Sequence, residues 1–384
     1  MKHLLYVAVI LCIVRTSMVQ SQTWTSLTGP QVASNVKSIS ITTAGDDLYI
    51  ADANFVLKST NSGTAWRVTQ VPYSSPLVVL VKPNDVTKVV VAKSDELRYS
   101  NQGGDAGTWS QKIQDPNLNP LRLVAAVNDG SKMFLGKRYH AQSTYPIYTS
   151  SNGGADWSEV SSFTNQTNIS DFAPYPNNVD GWGAGVVWAG GVAPNGNPSG
   201  SNNASEATTS GLWHSTDYGA TWYADRLGNR NVRSVEIVPR EYDTHYIRLV
   251  AAAVAPGNDV LLRNESLSSS DPEDWTTISL SPAPLDIFLI RRKNSNGNIF
   301  LATSNGVWKS TNDGQSFTRV GLADIEVLSM AVASTGDNLF AGTSTTLYKS
   351  TNNGSDWTNV GDMNVSSIEA ARAMKREGSL SGND

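Results

Sequence analysis

A short loop motif recurs along this chain and constrains its fold more than any other feature. It reads LYKSTNNGSDWTNVG at Leu347 to Gly361, VWKSTNDGQSFTRVG at Val307 to Gly321 and VLKSTNSGTAWRV at Val56 to Val68. Each copy has an Asn or Asp two residues after a Ser, then a Gly, and an aromatic residue three positions after that Gly. The five clear copies are Ser59, Asn61, Gly63 and Trp66; Ser150, Asn152, Gly154 and Trp157; Ser215, Asp217, Gly219 and Trp222; Ser310, Asn312, Gly314 and Phe317; and Ser350, Asn352, Gly354 and Trp357. Such regular repetition predicts a chain built from copies of one supersecondary unit.

Two further copies bring the number of loops to seven. One copy, which we call the swollen loop, has an insertion of two residues and reads SNQGGDAGTW at Ser100 to Trp109. The other is degraded, reads RNESLSSSDPEDW at Arg263 to Trp275, and is recognisable mainly by its final Trp. The copies start roughly 40 to 65 residues apart, which suits one four-stranded sheet per repeat. The spacing therefore predicts a single β-propeller, most simply one with seven blades.

The segments between the loops favour antiparallel strands. VKSISITTAGDDLYIAD and VLSMAVASTGDNLFAGTS each place two apolar runs around a turn that contains Gly-Asp. Apolar residues on a period of two, interrupted by such turns, are typical of β-hairpins. Because long helical periodicity is absent, we predict an all-β fold with four antiparallel strands in each blade.

The residue types in the loop have a structural explanation. An Asn or Asp side chain accepts hydrogen bonds from backbone groups just after it, and Gly adopts the positive φ that other residues resist. The Ser can cap the turn, and the aromatic side chain can bury about 150–250 Å² between neighbouring sheets. We therefore interpret the loop residues as structural and not as catalytic groups.

The motif resembles the Asp-box, or BNR repeat, of sialidase-like, xyloglucanase-like, sortilin-like and photosystem II assembly-factor-like β-propellers. The resemblance covers nearly the whole chain after its first residues. It implies that the loops lie on the outer rim and that ligands bind at the mouth of the central channel. A sialidase would also need three arginines that grip the substrate carboxylate, the first in an Arg-Ile-Pro motif ahead of the first loop, and no arginine lies between Arg15 and Arg67.

The N-terminus has the layout of a secretory signal peptide. A positive residue, Lys2, precedes an apolar run from Leu4 to Val14 that is too short to span a bilayer, and small residues permit cleavage near Ser21–Gln22. We therefore expect a signal peptide at 1–21, the propeller at 22–370 and a flexible tail at 371–384. The single cysteine, Cys12, falls within the signal peptide, which excludes disulfides from the mature protein. The expected localisation is extracellular.

The sequence contains six Asn-x-Ser/Thr sequons. In a secreted eukaryotic protein several of them would carry glycans, whereas in a bacterial protein they would reflect only the Asn- and Ser-rich loops. They are Asn165, Asn168, Asn203, Asn264, Asn353 and Asn364.

Composition excludes several classes of partner. Charged residues make up 16% of the chain and the net charge is -5, which argues against nucleic acid. No other apolar run is long enough to cross a membrane. The three histidines after the signal peptide, His140, His214 and His245, are far apart, so we expect neither a metal site nor a cofactor.

Two kinds of side chain are candidates for a ligand site. Trp182 and Trp188 lie in a long Gly-rich insertion between Asn178 and Gly211 and belong to no loop motif, so they could stack on sugar rings. The segment AGVVWAG around Trp188 fits an innermost strand equally well, which would place that side chain in the core. Glycosidase chemistry needs two carboxylates. The candidates near the ends of inner strands are Asp52, Asp180 and Asp286, with Asp95, Glu96 and Asp171 also considered.

The sequence thus leaves three functions open. The first is a secreted binding scaffold for an extracellular glycan or protein. The second is a glycoside hydrolase that uses two channel-facing carboxylates, and the third is an extracellular matrix protein. Fold alone does not decide among them.

Overall fold

The computed structural model contains seven four-stranded antiparallel sheets, as the loop count predicts. It describes residues 36–51, 55–69, 71, 75–125, 130–138, 146–175, 185–193, 211–225, 227, 230–239, 246–253, 259–265, 275–293, 295–334 and 336–360. No helix occurs in those ranges. The expected signal peptide, the C-terminal tail and the segments 23–27 and 364–370 all fall outside them.

Each sheet is one blade, and its strands follow one another in chain order. The first four blades consist of β1 (Ser38–Ile41), β2 (Leu48–Ala51), β3 (Val56–Ser59), β4 (Arg67–Val68), β5 (Val78–Lys82), β6 (Asp85–Ala92), β7 (Glu96–Ser100), β8 (Trp109–Gln114), β9 (Pro120–Ala125), β10 (Met133–Lys137), β11 (Ile147–Ser150), β12 (Ser158–Glu159), β13 (Asn168–Pro174), β14 (Val187–Val192), β15 (Gly211–Ser215) and β16 (Tyr223–Ala224). The last three consist of β17 (Asn231–Pro239), β18 (Tyr246–Ala253), β19 (Val260–Asn264), β20 (Thr276–Ile278), β21 (Ile287–Arg292), β22 (Ile299–Thr303), β23 (Gly306–Ser310), β24 (Thr318–Gly321), β25 (Ser329–Val332), β26 (Leu339–Gly342), β27 (Leu347–Ser350) and β28 (Thr358–Asn359).

The blades form a closed ring. The first strand of each blade contacts the first strand of the next, and β25 of the seventh blade returns to β1 of the first. At this seam the Ser329 hydroxyl donates to the Val36 carbonyl at 3.0 Å. The apolar core consequently lies between blades: one cluster joins Leu48 and Ile50 of the first blade to Phe340 and Leu347 of the seventh. Every first strand therefore borders a central channel.

Serines connect neighbouring innermost strands, which do not pair as a β-ladder. The Ser40 hydroxyl on β1 accepts a hydrogen bond from the Val81 amide on β5 at 2.9 Å. The Ser234 hydroxyl on β17 accepts from the Ile290 amide on β21 at 3.0 Å. A short hydroxyl side chain satisfies backbone groups that the diverging sheets leave unpaired.

The repeated loops are closed, hydrogen-bonded turns. In the fourth blade the Ser215 hydroxyl accepts from the Gly219 amide and donates to Asp217, both at 2.8 Å. Asp217 Oδ1 also accepts from the Thr221 amide, and Trp222 Nε1 donates to the Gly219 carbonyl. The other four clear copies repeat the Ser–Gly bond at 2.9–3.0 Å.

Basic side chains connect several loops to the preceding blade. Each lies on a third strand and donates to a backbone carbonyl in the loop of the next blade. The pairs are Lys58 Nζ with Gly103 O, Lys309 Nζ with Asn353 O, Lys349 Nζ with Ser62 O and Arg263 Nε with Asp313 O. Since they cross from one blade to the next, these bonds couple adjacent sheets.

Candidate functional site

The central channel has a charged side and a mainly apolar side. Innermost strands of blades three to six carry charged residues, whereas those of blades seven, one and two present apolar residues that remain partly exposed, apart from Lys82. The charged residues are Arg122, Asp171, Arg233, Glu236, Arg291 and Arg292, and the apolar ones are Val332, Ile39, Ile41 and Leu80. The channel wall is therefore amphipathic.

Asp171 lies at the centre of the charged side. A β-bulge between Ile169 and Asp171 alters the register of β13 against β14 at this point. The side chain is completely buried, and Arg291 contacts both of its oxygens, at 3.0 and 3.1 Å. Arg122 Nε lies 2.9 Å from Oδ1, and the Ser234 hydroxyl donates to Oδ2 at 2.5 Å. Blades three to six thus meet at one carboxylate.

Burial and the positive charge of Arg122 have opposite effects on the pKa of Asp171. Burial raises it because it disfavours the charged form, while the positive charge of Arg122 lowers it. Burial is the larger influence, so the pKa lies above its ordinary value.

Glu236 is two residues further along β17 than Ser234. It keeps some solvent contact through the channel but is otherwise surrounded by protein. Its oxygens accept the Ile237 amide at 3.2 Å and the Arg292 amide at 3.1 Å. Burial raises the pKa of Glu236 to about 7, and the nearby charge of Asp171 adds to the rise. Glu236 can therefore gain or lose a proton near neutral pH.

A second charged group lies at the face opposite the repeated loops. Asp259 directly precedes β19, a third strand, and Asp286 directly precedes β21, a first strand. First and third strands of an antiparallel sheet run in the same direction, so both residues lie at the same face. Arg233 joins them, with Nε 3.1 Å from Asp259 Oδ2 and Nη2 2.7 Å from Asp286 Oδ1. Burial raises the pKa of Asp259 to about 6.

The raised pKa of Glu236 predicts a stability that falls as pH rises. Between about pH 4.5 and 7 the folded state holds a proton that the unfolded state has lost, so this stabilisation is greatest in acid and disappears through pH 7. We expect this contribution to make the free energy of unfolding, measured with urea, higher at pH 5.5 than at pH 8. In Glu236→Gln the difference between the two pH values should be smaller by about 1–3 kcal/mol. Asp259 contributes in the same direction, so the informative quantity is the difference between wild type and variant. Identical pH dependence in the two proteins would contradict the assignment.

The structure brings together only part of the set predicted from sequence. Asp171 is in the charged side of the channel and Asp286 pairs with Arg233 at its edge. Asp52, Asp180 and Trp182 lie outside the described residues. Asp95, which is partly exposed, and Glu96, which is buried, contact Lys93 instead. Arg122, Glu236 and Arg291 were not candidates, although the segment FLIRR at Phe288 to Arg292 is an unusual pair of arginines at the end of an apolar strand.

Trp188 requires a correction. It has no exposed surface and lies on β14, the second strand of its blade. Its ring packs against His214 with centroids 4.9 Å apart, and the buried Arg248 guanidinium lies 5.1 Å from its centroid. The structure therefore places Trp188 in the core and not on a surface that a sugar could reach.

The sequons differ in accessibility. Asn165, Asn168 and Asn353 are partly exposed, and Asn203 and Asn364 are outside the described ranges. Asn264 is 1% exposed and contacts the Arg248 guanidinium. Because a glycan needs a solvent-exposed amide, the expectation of a glycan at Asn264 is corrected for the folded protein.

The described parts of the chain contain no group of three or more His, Cys, Asp or Glu side chains placed to hold a metal ion. They likewise include no helix long and apolar enough to cross a membrane.

Solved structures similar to this chain are also propellers or propeller-containing enzymes. The structure of YCF48 bound to D1 peptide has a TM-score of 0.54 and 14% identity over 85% of this chain and 96% of that one. An ancestral GH74 enzyme has a TM-score of 0.61 and 15% identity over 87% of this chain but only 47% of its own. The GH74 xyloglucanase from Xanthomonas campestris gives 0.53 and 14% over 84% and 60% of the two chains. Identities this low establish the fold alone.

Sequence comparison identifies a family but no individual relative. Curated protein sequences yield no match to this chain. A sequence profile described as the DUF6242 beta propeller domain matches residues 11–229, which is more than half of the chain. The protein therefore belongs to the DUF6242 β-propeller family.

Proposed function

We propose that this protein is a secreted binding scaffold whose central channel holds a segment of an extracellular protein. The observation that carries the proposal is the amphipathic channel wall, with charged residues on blades three to six and Ile39, Ile41, Leu80 and Val332 opposite. A peptide segment presents both polar and apolar groups, so it can contact both sides at once. Secretion rests on the layout of the first residues of the sequence.

Two further observations favour a peptide over a glycan. YCF48 is similar along 96% of its length and has been solved bound to a peptide, so a single propeller of this size is sufficient for that role in YCF48. Sugar binding usually relies on exposed aromatic rings. Among the described innermost strands the aromatic residues are Phe172, which is buried, and Phe288, which lies beneath the Arg233 guanidinium.

A parallel screen of the secreted protein tests this proposal. A random-peptide display library and a glycan array are probed with wild type, with Leu80→Lys on the apolar side of the channel, and with Tyr223→Lys on the outermost strand β16. We expect peptides to be enriched and their binding to weaken at least tenfold in Leu80→Lys only. Enrichment of glycans without peptides, or equal weakening by Tyr223→Lys, would contradict the proposal.

A glycoside hydrolase is the second candidate, because Glu236 and Asp171 are neighbouring carboxyl groups with raised pKa values. One protonated and one ionised carboxyl group are the minimum that glycoside hydrolysis needs. Against it, Asp171 has no exposed surface and both oxygens of Glu236 accept backbone amides. Release of reducing sugar from any glycan bound on the array, and its loss in Glu236→Gln, would support this candidate.

A further inference from the structure

The guanidinium of Arg122 has an edge that the protein does not use. Arg122 is on β9, and its Nε lies 2.9 Å from Asp171 Oδ1. Within the described part of the chain, neither Nη1 nor Nη2 has a hydrogen bond or ion pair. The side chain is 23% exposed, although its Nε is buried. Its inner edge is thus fixed against the wall of the channel while two nitrogens remain accessible.

Arg291, the other arginine that contacts Asp171, differs from Arg122 in the partners of its terminal nitrogens. Its Nη1 contacts Asp171 Oδ2 and the Ile290 carbonyl, and its Nη2 contacts Asp171 Oδ1. Both terminal nitrogens are therefore engaged within the protein. Among the described residues, Arg122 is thus the arginine at Asp171 whose two terminal nitrogens both lack a partner, whereas those of Arg291 already contact the protein.

The local charge also favours an anion. Two guanidinium groups face the single carboxylate of Asp171, which leaves a surplus of at least one positive charge. Glu236 on the adjacent strand is the nearest further anion, and Arg292 accompanies it. Arg233 is matched by Asp259 and Asp286 and adds no net positive charge. A surplus of about one charge suits a monoanion better than a dianion.

We propose that the free edge of Arg122, held in place by Asp171, binds a carboxylate group of the ligand in the central channel. A guanidinium edge has two parallel N–H donors that match the two oxygens of a carboxylate, and such paired bonds are among the strongest in proteins. The carboxylate belongs to the peptide ligand of the proposed function, on which this identification of the ligand rests. It can come from an acidic side chain or from a C-terminus.

A titration with acetate tests the site without depending on any peptide. We expect the side-chain Nε–Hε NMR resonance of Arg122 to shift and saturate, with inorganic phosphate binding more weakly than acetate. In Arg122→Lys the ammonium can still pair with Asp171, but the second edge is gone, so acetate affinity should fall at least fivefold. The matched control Arg67→Lys changes an arginine that pairs with Asp105 near the outer loops. Absence of a saturable shift, tighter binding of phosphate, or an equal loss in Arg67→Lys would overturn the proposal.

Peptides enriched on the wild-type protein show whether the carboxylate comes from an acidic side chain or from a C-terminus. They also test the carboxylate site separately from the scaffold function. Amidation of the C-terminus, or replacement of Asp and Glu by Asn and Gln, should weaken binding to wild type at least tenfold but should have little effect with Arg122→Lys. Peptides that bind wild type and Arg122→Lys equally well would overturn the carboxylate site and leave the scaffold function intact. A protein that binds acetate through Arg122 but no peptide would retain the site and refute the scaffold function.

Discussion

Replacing Asp171 with alanine is expected to lower the free energy of unfolding by about 3–5 kcal/mol. Asp171 has no exposed surface and pairs with arginines from the third and sixth blades, with the Ser234 hydroxyl from the fifth. Removing it leaves two guanidinium groups facing each other in a confined channel, without the carboxylate that they share. The loss is large because desolvated charges that lose their partner are costly.

An exposed ion pair provides the comparison for Asp171. Asp105 pairs with Arg67 at 2.8 Å, but both side chains are more than half exposed. Asp105→Ala should therefore cost less than about 1 kcal/mol. Urea denaturation of both variants, read by tryptophan fluorescence, measures the two losses. A loss in Asp171→Ala no larger than that in Asp105→Ala would show that the channel network does not stabilise the ring.

Replacing Gly219 with alanine should cost about 2–4 kcal/mol. Gly219 belongs to the repeated loop of the fourth blade and has φ +84°, where a Cβ is strained. That Cβ would also lie 2.7 Å from Phe134 Cε1, in the apolar cluster between the third and fourth blades. Because Phe134 is 1% exposed and packs against Phe172, it has little room to move. Strain and overpacking therefore add.

Gly107→Ala is the control that measures backbone strain without overpacking. It lies in the swollen loop with φ +71°, and no atom lies within 4 Å of an added Cβ. Gly107→Ala should then show the strain alone, about 1–2 kcal/mol. Thermal and urea denaturation of both variants measure the difference. Equal losses would mean that the loop glycine does not mediate contact between blades.

The sequence was sufficient for the fold because the fold is encoded locally. The Ser–Gly spacing, the hairpin turns and the period of two predict seven four-stranded sheets, and seven are present. Each blade repeats the same short-range pattern, so the number of loops fixes the number of blades. The degraded copy between Arg263 and Trp275 still marks a blade, β17 to β20.

The channel site could be predicted only in part because its residues meet only when the innermost strands of blades three to six pack around the channel. Arg291 and Asp171 are 120 residues apart and belong to blades that are not adjacent in sequence. A bulge at Asp171 determines its register, and bulges leave no reliable signal in a single sequence. Asp171 was among the carboxylates considered, but nothing near it in the chain indicates its partners.

Burial explains why Trp188 is not available to a ligand and why Asn264 is not available for glycosylation. Trp188 lies in a Gly-rich insertion that fitted either an exposed segment or a buried strand, and Asn264 lies in a polar loop segment. The structure places them on strands β14 and β19, where Arg248 contacts both side chains. A buried arginine between two blades thus accounts for two residues whose surroundings in the sequence left accessibility open.

The central claim is that the repeated loops connect the blades while the channel binds the ligand. The most direct test measures two quantities, the melting temperature and the acetate affinity, in Gly219→Ala and in Arg122→Lys. We predict that Gly219→Ala lowers the melting temperature and leaves the acetate affinity of the folded protein unchanged, and that Arg122→Lys has its main effect on the affinity. Loss of acetate binding in folded Gly219→Ala with full binding in Arg122→Lys would contradict the claim.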